Sequence, residues 1–172
     1  MPSQSALFDR LTQDLPTGQV TWLGVRPARR QPMTTVPEAY AIADLGLEGD
    51  RRCQGSPGSA RQITFINAEH LDLVASWLQT ADIDPALLRR NVVISGVNLL
   101  ALRHQQFTVG DAVFEATALC HPCSRMDEAL GPGGQAAMLG HGGLCARILK
   151  SGMVRVGDSL RCLMPEERWP SA

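Results

Sequence analysis

Gln106-Phe107-Thr108-Val109-Gly110-Asp111-Ala112-Val113-Phe114-Glu115-Ala116-Thr117-Ala118-Leu119 is the stretch that decides the fold. Two runs rich in β-branched and aromatic residues flank a Gly-Asp pair, the pattern of two strands joined by a tight turn. The device returns at Val156-Gly157-Asp158-Ser159-Leu160, although the shared pattern is too short for a domain repeat. Further short strand-like runs lie at Val92-Val93-Ile94, at Ala146-Arg147-Ile148-Leu149 and from Ser159 to Leu163, most of them separated by Gly-containing turns. This spacing predicts a mainly β, barrel-like sheet with a few helices, in the α+β class.

Upstream, a strand at Gln62-Ile63-Thr64-Phe65-Ile66 hands over to a helix. Asn67 caps it, Glu69 sits in the first turn, and Leu71, Val74, Ala75 and Leu78 share one face. A shorter helix runs from Asp84-Pro85 to Leu88. Nearer the N-terminus, helix-like spacing from Leu7 to Leu15 stops at Pro16-Thr17-Gly18, and Gln19 to Val25 reads as a strand. Arg26 to Thr35 is an irregular loop rich in Pro and Arg, Leu45 to Asp50 is turn-like, and Gln54 to Ala60 is a Gly/Ser/Pro loop. Residues 1–18 are therefore read as an N-terminal extension with helical character and 19–163 as the domain. Residues 164–172 are read as a polar tail, expected to be loosely held.

A chain of 172 residues suits one domain with a core that needs no disulfide staples. Its five cysteines have no framework spacing, and its N-terminus lacks a basic and then apolar leader, which points to a reducing, cytoplasmic setting. No apolar run approaches the roughly 20 residues of a membrane span, so no membrane partner is expected. A net charge of −1 argues against bulk nucleic-acid binding. Arginine outnumbers lysine fifteen to one, for which genome-wide codon bias is a sufficient cause, so only arginines in context carry weight.

Cys120-His121-Pro122-Cys123 follows the strand that ends at Leu119 and admits four readings: a redox dithiol, half of a zinc site, a thiolate holding another metal, or two packed thiols. The redox reading wants a Cys-x-x-Cys that opens a helix, whereas the surroundings read as antiparallel sheet and soon break at Gly131-Pro132-Gly133-Gly134. Zinc lacks a second paired motif. Arg89-Arg90-Asn91 joins a helix end to a strand, where arginine forks take phosphate and Asn reads a heterocycle edge, or where both arginines merely serve the helix C-terminus. Gly131-Pro132-Gly133-Gly134-Gln135-Ala136 formally fits a dinucleotide fingerprint but follows no strand. Glu48 and Asp50, among glycines, read as a structural turn rather than an acid-base pair.

Taken in order, Gly46-Leu47-Glu48-Gly49-Asp50-Arg51, Arg61-Gln62-Ile63-Thr64, Leu88-Arg89-Arg90-Asn91-Val92, Gly110-Asp111, Pro122-Cys123 and Val156-Gly157-Asp158 resemble the MOSC domain, the molybdenum cofactor sulfurase C-terminal family, in its short stand-alone bacterial form. The resemblance covers roughly Gln19 to Leu163. It implies a barrel-like fold binding a molybdopterin-type molybdenum cofactor, with Cys123 as molybdenum ligand and catalytic residue. Arg89 and Asn91, with Arg90 between them, are implied to contact the cofactor's phosphate or pterin, the phosphate-facing fork being Arg89. Members with known activity reduce N-hydroxylated compounds such as hydroxylaminopurines and amidoximes, which makes the expected function an oxidoreductase on a small N-hydroxylated substrate. No flavin, nicotinamide or iron-sulfur pattern is present and pyridoxal phosphate is not expected, so a separate electron-donor reductase is implied. His121 and Asp127, near Cys123, are candidates for a proton relay. Arg52 stands where the family often has His, and Cys120 is no part of the motif. Two alternatives remain open, a sulfur carrier with a persulfide on Cys123 and a cofactor-binding module without turnover.

Overall fold

The Gly110-Asp111 turn joins β7 (Gln106–Val109) to β8 (Ala112–Leu119) as an antiparallel hairpin in the computed structural model, which describes residues 3–170. Seven strands close around it: β11 (Ser159–Cys162), β7, β8, β9 (Leu144–Lys150), β5 (Ile63–Asn67), β6 (Val92–Ser95) and β1 (Gly18–Val25), which pairs back onto β11. Closure leaves no free edge within the barrel itself. Its ladders are antiparallel except β5–β6, which run parallel and are joined by a crossover containing α2 (Ala68–Trp77). β2 (Thr34–Thr35) extends the sheet from β1, and a second sheet pairs β10 (Gly152–Arg155), β3 (Glu38–Ile42) and β4 (Gly46–Leu47).

Strand alternation sorts the side chains into two cores. Ile63, Phe65, Val92, Ile94, Phe107, Phe114, Leu144 and Ala146 point into the barrel, where the three phenylalanine rings meet at 5.3 to 5.7 Å between centroids. Ile66 and Val93 point outward. There they pack with Leu71 and Val74 of α2, with Leu88, and with Met126 and Met138 of two short helices, α3 (Arg125–Leu130) and α4 (Gly134–Met138). β5 and β6 are thus covered on both faces, which is why they read as nearly continuous apolar runs.

Several local expectations change. The first helix, α1 (Gln4–Thr12), begins and ends three residues before the Leu7 to Leu15 reading because Ser3 caps it, its hydroxyl accepting from the Ala6 N–H. Asn67 occupies the cap position of α2 without accepting from a helix N–H, since its Oδ1 accepts from the Leu99 N–H while Nδ2 donates to the Val97 carbonyl and to Glu69 Oε2. α3, opening two residues after Cys123, is a helix where the surroundings read as antiparallel sheet, and α4 starts at the last glycine of the Gly131–Gly134 break. Residues 168 and 169 are held rather than loose: Trp169 exchanges two hydrogen bonds with the Gln106 side chain, and Arg168 reaches Asp9 and Gln105.

Candidate functional site

Thr64 and Cys145 are direct partners across β5 and β9, and both point away from the barrel interior. Against this outer wall stand the loop after β1, the turn Arg51–Gln54, the turn Pro85–Leu88 with its exit, and α3, which together enclose a cavity of about 640 Å³. Its walls carry six arginines (Arg26, Arg30, Arg51, Arg89, Arg90, Arg125), both cysteines of the Cys-x-x-Cys motif, and Glu128 as the single carboxylate. Such a wall suits an anion.

Each arginine is placed by a local cause. Arg26 leaves β1 and is gripped by Asp50, whose carboxylate accepts from its backbone N–H at 2.9 Å, from Nε at 3.0 Å and from Nη2 at 2.9 Å. Asp50 also accepts from the Arg52 N–H and from Asn91 Nδ2. Burial raises the Asp50 pKa, but the hydrogen bonds and charge of Arg26 outweigh it and hold the carboxyl below its ordinary value. Arg89 adopts a left-handed backbone, φ 58°, so consecutive side chains diverge. Arg89 turns out to the carbonyls of Gln31 and Ala28, while Arg90 turns in, 7% exposed, donating from Nε to the Gly142 carbonyl at 2.9 Å and from Nη1 to Leu88 at 2.7 Å. Nη2 of Arg90 is buried without any partner among the described residues. A buried guanidinium N–H left unpaired is costly, so this position calls for an acceptor from outside the described residues.

The two thiols differ. Cys123 is exposed at the cavity mouth, whereas Cys120 is half-buried beside Cys145. A hydrogen bond from the Cys145 thiol lowers the Cys120 pKa, overcoming the opposing effect of burial, and Arg90, Arg61 and Arg26 add to it, bringing the thiol to about 6. Cys145 is pushed up by the same bond and remains a thiol. The backbone is held too, the Cys120 N–H donating to the Gly143 carbonyl at 2.8 Å. That approach needs glycine at both lead-in positions of β9: a Cβ on Gly142 would lie 1.9 Å from the Cys120 oxygen, and Gly143 has φ +87° with the Phe65 oxygen equally close.

Of the residues singled out from sequence, Cys123, Arg89 and Arg90 line the cavity together. Asn91 does not. It is 1% exposed, and its amide is used within the wall, Oδ1 accepting from the Thr64 N–H and hydroxyl and Nδ2 donating to Gly24 and Asp50. Asp127 is taken by the Gln135 N–H, and exposed His121 borders a smaller, about 220 Å³ cavity that shares Cys120. Among the described residues no three or more His, Cys, Asp or Glu gather for a metal ion. Arg26, Arg30, Arg51, Arg125 and Cys145 were not singled out from sequence. The arginine-rich loop after β1 signalled Arg26 and Arg30 alone, and Arg51 stood in sequence only as the last residue of the Gly46–Arg51 motif.

The MOSC domain family model matches residues 50–161. This chain belongs to the MOSC domain family. The match runs from the Asp50 anchor to β11 and so includes Arg89, Arg90, Cys120 and Cys123, while Arg26 and Arg30 lie outside it. Among solved structures, the MOSC fold seen here is similar to YuaD from Bacillus subtilis, with 19% identity, 87% of this chain and 97% of that chain covered, and a TM-score of 0.73. It is also similar to YiiM from Geobacillus stearothermophilus (16% identity, 86% and 75% covered, TM-score 0.67) and YiiM from Escherichia coli (20%, 84% and 69%, 0.61). No curated protein matches the chain. MOSC membership links the chain to molybdenum-cofactor function, and no helix among the described residues is long and apolar enough to cross a membrane.

Proposed function

We propose that this MOSC protein binds a molybdopterin-type cofactor in the arginine-lined cavity and reduces N-hydroxylated compounds there, working in the cytoplasm with electrons from a separate reductase. The observation that carries this reading is the buried, unpartnered Nη2 of Arg90, a residue that lines a cavity together with Cys123. Residues and group fit: a phosphate supplies the missing acceptor, and a soft thiolate suits a thiophilic metal. When bound, the cofactor supplies two-electron chemistry, which with two protons converts an N–OH to N–H and water.

The chain supplies the rest. Cys123 is the molybdenum ligand, and Arg90 and Arg89 hold the phosphate end, Arg89 also bracing the loop after β1. Asn91 acts through the wall, fixing Asp50 and hence Arg26. α3 shields one side of the cavity from water. Proton delivery from solvent is assigned to His121, which borders the smaller cavity that shares Cys120.

Elemental analysis and mass spectrometry of one sample from a molybdenum-sufficient host test the reading. Close to stoichiometric molybdenum with pterin is expected, and Cys123→Ser should abolish reduction of an N-hydroxylated base by reduced dye. Cys120→Ser should keep the metal. A metal-free chain carrying one extra sulfur on a cysteine would instead establish the sulfur-carrier reading, with Cys120 held as thiolate as its structural support.

A further inference from the structure

The cavity holds more positive charge than its inner wall uses. Asp50 neutralises Arg26, backbone carbonyls take both Nη atoms of Arg89, and Nη2 of Arg90 is buried with no partner among the described residues. Arg30, Arg51 and Arg125 remain. All three are exposed, line the cavity, and make no hydrogen bond or ion pair through their guanidinium groups among the described residues. They come from three separate elements: the loop after β1, the turn Arg51–Gln54, and the start of α3. After burial, the charges of Arg26, Arg51 and Arg125 hold Arg89 below its ordinary pKa, which places each of the three within electrostatic reach of Arg89. Glu128 lies one turn from Arg125 on α3 and pairs with none of them.

Codon bias scatters arginines over a surface, but here six of the chain's fifteen face one cavity. Like charges gathered from separate elements repel unless an anion lies between them. One phosphate on the cofactor satisfies the inner position and leaves the rim unanswered. A volume of about 640 Å³ sits well inside the range of small-molecule sites, about 300 to 1,000 Å³.

Building on the function proposed above, we infer that Arg30, Arg51 and Arg125 form a second anion subsite that takes the phosphate of the substrate, making the preferred substrates N-hydroxylated nucleotides rather than free bases or nucleosides. Guanidinium forks recognise phosphate oxygens bidentately, and a rim position leaves the base free to reach inward toward Cys123. The other source of the same chemistry is a second phosphate on a dinucleotide form of the cofactor.

The test uses the cofactor-loaded protein with reduced dye and compares kcat/KM for an N-hydroxylated nucleoside and its 5′-monophosphate. The monophosphate should be favoured by about tenfold or more, the scale of one charge-assisted contact. This ratio should fall toward one in the Arg51→Ala/Arg125→Ala variant and at high salt. Equal values in the wild type overturn the subsite, as does release of a pterin dinucleotide on denaturation, since the rim would then serve the cofactor. A readout without turnover is calorimetric binding of an ordinary nucleoside 5′-monophosphate. It should weaken at least about tenfold in the double variant, and identical binding refutes the subsite. If neither N-hydroxylated compound is reduced, the proposed reaction fails, and calorimetry still decides the subsite.

Discussion

Arg89 and Arg90 are adjacent and chemically identical, yet a single left-handed residue sends one to brace a loop and the other into the wall. The resemblance favours Arg89 as the phosphate fork, whereas the buried, unanswered Nη2 shifts the expectation to Arg90. Arg90→Ala should therefore release pterin more readily than Arg89→Ala. The lost contact is worth roughly 1.5 to 3 kcal/mol, or about tenfold to hundredfold in retention after gel filtration. Equal retention in both variants would remove Arg90 from the anion site. The cysteines permit a second residue-level prediction. Donation from Cys145 stabilises the Cys120 anion, so removing the donor must raise the Cys120 pKa. In cofactor-free protein, the alkylation rate of Cys120 followed by peptide mass spectrometry should titrate with a midpoint of about 6. The midpoint should move upward in Cys145→Ala and stay low in Cys145→Ser, which keeps a donor. A Cys145→Ala midpoint unchanged from wild type would show that the arginines alone hold the thiolate.

At the scale of elements, Asp50 is a joint: its carboxylate ties the end of β1 to the Arg51–Gln54 turn and, through Asn91, to the start of β6. Asp50→Asn should cost roughly 3 kcal/mol at neutral pH, the low end for breaking a buried pair because Arg26 can turn partly to water. The pH dependence follows from the depressed pKa. The contribution is fully present above the ordinary value of 3.8 and is lost as pH falls through the lower, folded-state value. Urea midpoints should thus separate wild type from variant at pH 6 and converge in more acid buffer, and a constant gap would contradict the assignment. The elements themselves were unevenly legible. The β7–β8 hairpin and the β5–α2 unit announce themselves because turn chemistry and periodicity agree over enough residues. α3 and α4, six and five residues long, are too short for periodicity and are hidden by glycines around them. β3 was missed for another reason: it exists by pairing with β10, more than a hundred residues away in the chain, which no local pattern reports.

Over the whole molecule, the site is a product of closure, since strands and turns from Arg26 to Ala129 supply its walls. Cys123, Arg89 and Arg90 were readable through spaced motifs, but Arg30, Arg51 and Arg125 acquire meaning only once the fold gathers them. Closure also needs a fastening where β7 and β11 meet, and the C-terminal residues provide it. Trp169 takes and gives hydrogen bonds at the buried Gln106, Arg168 joins Gln105 to Asp9 of α1, and Arg161 of β11 pairs with Glu167. Removing residues 165–172 would take from the buried Gln105 and Gln106 the hydrogen bonds that Arg168 and Trp169 supply, at about 1 to 3 kcal/mol for each glutamine. At about 2 to 4 °C per kcal/mol for a domain of this size, Tm should fall by roughly 4 to 24 °C. None of the fastening residues lines the cavity, so the molybdenum content of the folded fraction should stay near that of the full chain. Calorimetry and metal analysis on the same truncated sample separate the two quantities. An unchanged Tm would make the tail a passive cover, and a loss of metal without a loss of stability would mean that the tail belongs to the site.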